Sequence, residues 1–247
     1  FEKIGLDIRA FYKEIFRMPT FNDLYYVQLG NRLLRPEYAT QYNVGVVYSK
    51  QFGKGVLSSL NLTVDAYYNE VKDKIIATPT SNQLVWTMVN LGYVEIRGVD
   101  VTFNPCFNIG GMALDARLSY TYKKAQDFTK EKGEGWGVAV MDVYGDRITY
   151  IPWHSGSAIL NASYRKWDFN YSFIYTGERY MLGNNTPANY IQPWYTHDMS
   201  LSRNFPFKHA QLRITAEVNN IFNQQYEVVK WYPMPGTNFK IILSLTL

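Results

Sequence analysis

Few residues in this chain could do chemistry, and those few are scattered. There are 3 histidines, at His154, His197 and His209, and 1 cysteine, Cys106. No two histidines stand at metal-ligand spacing, and no serine sits in a nucleophile-elbow context. No catalytic set, metal site or cofactor is therefore expected, and the chain reads as a non-enzyme. Cys106 has no partner for an internal disulfide and is expected as a bystander thiol in a turn. His197 alternates with Tyr195 and Met199 and reads as a rim residue rather than a ligand. Asp65, Asp100, Asp115, Arg117, Asp198, Arg213 and Glu217 share one property: each lies on the polar row of an alternating segment. The chemistry open to them there is hydration, mutual pairing and docking of something held against that row.

The alternation that places them recurs along the whole chain. Val56, Ser58, Leu60, Leu62, Val64, Ala66 and Tyr68 alternate with Ser59, Asn61, Thr63, Asp65 and Asn69. Met112, Leu114, Ala116, Leu118, Tyr120 and Tyr122 oppose Asp115, Arg117, Ser119, Thr121 and Lys123. Phe169, Tyr171, Phe173 and Tyr175 oppose Asn170, Ser172 and Thr176, and Phe239, Ile241, Leu243, Leu245 and Leu247 oppose Lys240, Ser244 and Thr246. A period of two over segments of about ten residues is the mark of a transmembrane β-strand. A soluble sandwich also alternates, but these strands are long and many carry Tyr or Phe near an end of the apolar row, where aromatic girdles sit.

Composition agrees with a membrane barrel. The chain is 47% hydrophobic and 17% aromatic, with 21 Tyr, yet its mean hydropathy is slightly negative. No stretch approaches the ~18 consecutive apolar residues of a membrane helix. The net charge of +4 comes from dispersed basic residues, so no nucleic-acid partner is expected. No linker divides the 247 residues, and one all-β domain over 1–247 follows.

About ten strands are expected, near 2–11, 38–50, 56–70, 91–104, 112–124, 157–166, 168–179, 194–205, 210–222 and 238–247. Short turns at 51–55, 105–111, 167–168 and 206–209 alternate with long connections at 19–36, 77–90, 125–154, 181–193 and 223–237. Outer-membrane barrels have this asymmetry, with short periplasmic turns and long extracellular loops, so the first and last strands are expected to begin and end on the periplasmic side. One irregularity stands at Gly98. Val94 and Ile96 hold the apolar row before it and Val99, Val101 and Phe103 hold it afterwards. A glycine bulge would shift the phase; alternatively, Glu95 and Arg97 stand above the bilayer, where outward charge costs little.

Several runs resemble the TonB-dependent outer-membrane receptors. Phe16-Arg17-Met18-Pro19-Thr20-Phe21-Asn22-Asp23-Leu24-Tyr25 and Asn31-Arg32-Leu33-Leu34-Arg35-Pro36-Glu37 resemble that family's FRxPTFxDLY and NxxLKPE boxes. In the family's order follow Tyr67-Tyr68-Asn69-Glu70-Val71-Lys72-Asp73-Lys74-Ile75, Gly92-Tyr93-Val94-Glu95-Ile96-Arg97-Gly98-Val99-Asp100 and Tyr150-Ile151-Pro152-Trp153-His154. Val218-Asn219-Asn220-Ile221-Phe222-Asn223 and Tyr232-Pro233-Met234-Pro235-Gly236-Thr237-Asn238-Phe239 complete the series.

The resemblance implies an antiparallel transmembrane β-barrel in the bacterial outer membrane, with this chain supplying the last ten strands of about 22. It implies a missing plug domain and barrel half, TonB engaged through that plug, and energy-coupled uptake of a scarce nutrient, a ferric siderophore or cobalamin. Arg32-Leu33 and Thr237 depart from the family's common residues, and the absence of histidine between Thr20 and Pro36 argues against haem. Ligand contacts would fall to loop residues Trp136, Tyr144, Arg147, Tyr180, Asn184, Asn185, Tyr190, Trp194, Trp231 and Tyr232, whose aromatic and amide groups suit a flat polar ligand. The glycine-rich stretch 133–137 would let the longest loop close over cargo. A passive porin, and a barrel whose loops bind a partner protein, are the alternative functions.

Overall fold

The computed structural model describes residues 5–53, 55–80, 85–129 and 144–246. In chain order the elements are β1 (Leu6–Arg17), α1 (Phe21–Tyr25), β2 (Glu37–Gln51), β3 (Leu57–Pro79), β4 (Trp86–Ile109), β5 (Met112–Asp127), β6 (His154–Tyr164) and β7 (Trp167–Thr176). β8 (Arg179–Tyr180), β9 (Tyr190–Ile191), β10 (Trp194–Pro206), β11 (Gln211–Asn219), β12 (Glu227–Val229), β13 (Tyr232–Pro233) and β14 (Asn238–Thr246) follow. A 10-stranded antiparallel sheet runs β1-β2-β3-β4-β5-β6-β7-β10-β11-β14. It is the expected up-and-down meander, open at β1 and β14. The remaining strands form two 2-stranded ribbons, β8 with β9 and β12 with β13, both within long connections.

Residues directly opposite one another share a face, so register assigns the two faces. Asp65 pairs with Gly45 and with Asp100, and Asp100 with Thr121. A single row crosses six strands as Asp115, Asn161, Asn170, Ser200, Glu217 and Lys240. That face is polar. Its opposite carries Leu62, Phe103 and Leu118 in one row, and Phe239, Ile241, Leu243 and Leu245 along β14, all at least 63% exposed. Water on one side and an apolar medium on the other is the arrangement this pattern serves.

Four boundaries differ from the sequence reading. β1 lies later than expected and runs through Phe16 and Arg17. β3 and β4 extend to Pro79 and from Trp86, so most of the 77–90 connection is paired hairpin. β4 also continues through Pro105 and Cys106 to Ile109, which places Cys106 in a strand rather than a turn. Its hairpin is only Gly110-Gly111, at φ 56 and 85, the left-handed pair that tight two-residue turns demand. Pro105 misled the reading because it cannot donate to a ladder. Pairing to β5 is interrupted beyond Phe103 opposite Leu118 and resumes at Cys106 opposite Asp115. Finally, β6 reaches Tyr164 and β7 starts at Trp167, so that turn is Arg165-Lys166.

The fifth difference concerns Gly98. It pairs with Tyr67 on one side and Lys123 on the other, and the register runs unbroken past it in both ladders, so no bulge exists there. The apolar row changes faces instead. Below Gly98, Val99 and Val101 lie on the apolar face. Above it, Val94 and Ile96 lie on the polar face, where Val94 is 0% exposed. Ala39, Val71, Val94, Ala125 and Ile148 form the core cluster, with Ile15, Ile96 and Ile151 packed against it. Segment 144–153 thus folds over the upper part of the polar face and turns it into an interior. The apolar face at the same height becomes charged, with Glu70 directly opposite Glu95.

Candidate functional site

All the long connections lie on one rim, and four of them are tied to one another or to the β3–β4 hairpin. The first is pinned at its start by a capping box on α1: Thr20 Oγ1 accepts from Asp23 N at 3.1 Å and Asp23 Oδ2 accepts from Thr20 N at 2.9 Å. This reciprocal arrangement satisfies otherwise orphaned donors. Arg17 reaches the same Asp23 carboxylate at 3.1 Å. Asn31 Nδ2 donates to Met88 O, Arg35 pairs with Asp73 at 2.6 Å, and Glu37 Oε2 accepts from Ile75 N at 3.0 Å. The first family-like box therefore caps α1, and the second docks the connection onto the β3–β4 hairpin.

The last connection turns on Asn220, which is 4% exposed and at φ 50. Its backbone N–H donates to Asp198 Oδ1 at 2.7 Å, its Oδ1 accepts from Gln224 N at 2.8 Å, and its Nδ2 donates to Gln224 O and Pro235 O. Thr237 Oγ1 donates to Asn220 O at 2.7 Å. The Asn-Asn-Ile-Phe-Asn and Pro-Gly-Thr-Asn runs are thus two halves of one loop base.

Between these, three connections share one locked junction. Arg179 is 3% exposed and donates from Nη1 to Val228 O at 2.6 Å and from Nη2 to Glu227 O at 3.0 Å. Tyr150 N donates to Tyr180 O at 2.9 Å, and Lys230 N to the Tyr150 hydroxyl at 3.4 Å. The Trp86 ring lies against Tyr150 at 5.4 Å. Burial pushes the Arg179 guanidinium down from its ordinary pKa, and burial likewise pushes the Tyr150 hydroxyl up. The junction is held by hydrogen bonds to a charged donor in partly dry surroundings, where they are strong.

Several expected ligand residues belong to that junction. Arg147 donates to Glu178 Oε1 at 2.6 Å, and its guanidinium carbon lies 3.9 Å from the Trp153 ring centroid and 5.5 Å from that of Tyr180. Asn185 takes Arg147 N on its Oδ1 and gives its own N–H to Asp146. Asn184 accepts from Asn189, and the Tyr190 hydroxyl donates to Glu178 at 3.4 Å. Tyr180 and Tyr190 meet edge to face at 5.9 Å. Trp194 stacks on Tyr226 at 4.6 Å. By contrast, Tyr144, Trp231 and Tyr232 are 55%, 59% and 53% exposed. Trp136 and the glycine-rich stretch 133–137 lie outside the described residues.

Asp65, Asp100, Asp115, Arg117, Asp198, Arg213 and Glu217 all fall on the polar face by register. Arg9 meets both Asp65 oxygens, at 3.1 and 2.6 Å, from two strands away. Gly45 on the intervening β2 makes this bridge possible, because a Cβ there would strike both Asp65 Oδ1 and Arg9 Nε. Arg213 pairs with Asp168 at 3.3 Å, and Glu217 accepts from Asn219 at 2.8 Å. Asp100 Oδ1 is buried without a hydrogen bond. His154 and His197 instead join the aromatic lining of the apolar face, accepting or donating at Tyr120 and Tyr171 hydroxyls at 2.8 and 2.6 Å. Among the described residues no group of three or more His, Cys, Asp or Glu is placed to hold a metal.

Sequence reading missed Arg179 and Glu178. Nothing local marks them. Arg179 works through carbonyls 48 and 49 residues away.

Comparison with known proteins yields one family and a consistent set of relatives. The family profile described as TonB dependent receptor-like, beta-barrel, matches residues 5–221. "Vitamin B12 transporter BtuB" of Vibrio vulnificus (strain YJ016) is 24% identical over 229 residues, covering 91% of this chain and 32% of the relative. The protein of that name in Photobacterium profundum is 27% identical over 222 residues, covering 88% and 31%. This chain spans about a third of the length of these relatives. Among solved structures, the unliganded ferric citrate transporter FecA superposes with a TM-score of 0.68 at 17% identity, covering 98% of this chain and 36% of that one. The siderophore receptor PiuA from Acinetobacter baumannii gives 0.68 at 15%, covering 98% and 34%. At such identities the likeness is one of fold.

Proposed function

Because this chain belongs to the TonB-dependent receptor β-barrel family, a family of bacterial outer-membrane transporters and receptors rather than enzymes, we propose that it supplies ten strands of a receptor importing a scarce metal chelate, a ferric siderophore or cobalamin. The observation that supports this reading is the locked junction on the long-loop rim, in whose segments the aromatic residues Tyr144, Trp231 and Tyr232 are exposed. Rigid aromatic surfaces offer large contact area to a flat ligand at small entropic cost. The named transport of vitamin B12 by sequence relatives and of ferric citrate by a structural neighbour supports the chelate class.

The open edges at β1 and β14 each present unpaired backbone groups, which an apolar medium cannot satisfy. Further strands therefore close the barrel in this reading, and a plug within it couples to TonB. The ionic pairs of the polar face, Arg9 with Asp65 and Arg213 with Asp168, would form the wall along which the plug packs.

The test is to titrate the native polypeptide containing this chain with a panel of ferric siderophores and cobalamin, following tryptophan fluorescence, and to measure uptake in cells. One member of the panel should bind, and its uptake should stop when the proton-motive force is dissipated. Trp231→Ala should weaken binding about tenfold, the loss of one aromatic contact. A large open-pore conductance with no chelate bound would replace this reading with a diffusion porin.

A further inference from the structure

Part of the short-turn rim carries charge of one sign. The β6–β7 turn is Arg165-Lys166, the neighbouring β10–β11 turn contains Lys208, and neither turn holds an acidic residue. Arg203 joins them from β10, beside the backbone contact in which Asn204 N donates to Lys166 O at 3.0 Å. Among the described residues none of these cations forms an ion pair.

Register puts Arg203 on the apolar face, in a row with Ile214, Trp167, Tyr164 and Met112. The next row toward the loops is Ala216, Leu201, Phe169, Ala162, Leu114 and Phe107, all apolar. The row toward the turns holds Phe205, Leu212 and Leu245. No carboxylate therefore adjoins Arg203 on this face. The acidic residues of these strands at this height, Asp115 and Asp168, lie on the polar face, where Asp168 is engaged by Arg213.

The cations converge on one ring pair. The Arg203 guanidinium carbon lies 4.8 Å from the Trp167 ring centroid and 5.0 Å from that of Phe205, and the Arg165 guanidinium carbon lies 5.1 Å from that of Tyr164. Tyr164 and Trp167 stand directly opposite each other in the ladder, and both are exposed. A guanidinium seated on an aromatic ring keeps N–H groups for an acceptor, and a phosphate suits its fork. Aromatic rings between an apolar band and polar groups mark a membrane surface, where charge on the lipid side costs little.

We propose that this turn-side surface binds one anionic glycerophospholipid, its phosphodiester held between Arg203 and Arg165 with Lys166 alongside, and its acyl chains against Leu114, Ala162, Phe169 and Leu201. Charge and depth select the occupant. Cations without a counter-charge call for an anion, and the apolar row next to them calls for acyl chains, so a free phosphate would satisfy only half of the surface. The inference rests on this chain lying in the outer membrane with its short turns toward the periplasm, and not on the cargo. The site is at the opposite rim from Tyr144, Trp231 and Tyr232, so chelate uptake does not report on it.

Native mass spectrometry of the full polypeptide in detergent tests this, with phosphatidylglycerol, phosphatidylethanolamine and glycerol phosphate as the probes. One equivalent of phosphatidylglycerol should be retained, phosphatidylethanolamine should be lost at least about tenfold more readily, and millimolar glycerol phosphate should not compete. The R165Q/K166Q/R203Q variant should lose that preference. K72Q/R97Q/K124Q, which removes the same charge from the long-loop end of the same face, should keep it. Trp167→Leu leaves every cation in place but removes the ring that seats Arg203, and should reduce the preference about threefold; heat-modifiable gel mobility confirms that each variant is folded. Equal retention of the two lipids, an unchanged preference in R165Q/K166Q/R203Q, the same loss in K72Q/R97Q/K124Q, or competition by glycerol phosphate overturns the proposal.

Discussion

Above and below Gly98, β3, β4 and β5 are the same continuous ladders with opposite polarity. Below it, Val99 and Val101 face the apolar medium while Asp100 faces the polar side with Asp65. Above it, Val94 and Ile96 line a core roofed by Ile148 and Ile151, and Glu95 stands on the outer surface opposite Glu70. A strand's period specifies that its two faces differ. What lies against each face decides which should be apolar, and here that changes partway along the strand.

The widest split should come between the two faces of β4 just above Gly98. Val94→Asp buries an unpaired carboxylate in the upper core and should cost about 3–5 kcal/mol or prevent assembly, whereas Glu95→Gln one residue away should stay within about 0.5 kcal/mol. Unfolding in urea with lipid vesicles measures both. Equal effects would mean that segment 144–153 does not cover Val94.

In the lower band the sensitive face is the outer one. Leu62→Arg should cost about 2–4 kcal/mol there, while Asp100→Asn on the polar face should be tolerated. If Leu62→Arg were harmless, the apolar row would not meet lipid.

A smaller effect is expected at the junction of loops. Arg179→Met deletes two charge-assisted hydrogen bonds to Val228 O and Glu227 O and should weaken the closed loop assembly by about 1.5–3 kcal/mol, with faster amide exchange at residues 227–230. The strands below should exchange as before. Exchange spreading into β10 and β11 would show that loops and barrel unfold together.

The smallest is a pH effect. Burial raises the pKa of Tyr150, so the folded junction holds its proton more tightly than the unfolded chain does. Its contribution is complete below pH about 10 and falls as pH rises through the raised value. Protease cleavage of the loops should increase in that alkaline range, and Tyr150→Phe should remove the dependence.

The strand count and the placement of Asp65, Asp115 and Glu217 on one face were legible, because alternation is a local property that survives without knowledge of neighbours. At Gly98 two readings stayed open, a bulge or outward charge at Glu95 and Arg97, because a phase change in one strand resembles an inserted residue. Tyr67 and Lys123, its partners in register, exclude the bulge and leave Glu95 and Arg97 on the outer face. Pro105 likewise signalled a turn, though the chain carries it inside a strand. Of the loop residues, Arg147, Asn185 and Tyr190 were chosen for their chemistry, and that chemistry is engaged in contacts between loops.

By itself the sequence determined an antiparallel sheet with one polar and one apolar face, and short turns on one rim with long connections on the other, since side-chain alternation and turn residues act over a few positions. Only the tertiary structure decided that the polarity reverses at Gly98 and that Arg179, Tyr150 and Asn220 hold the rim together. Those outcomes depend on contacts such as Lys230 N with the Tyr150 hydroxyl, 80 residues apart, which no local pattern encodes.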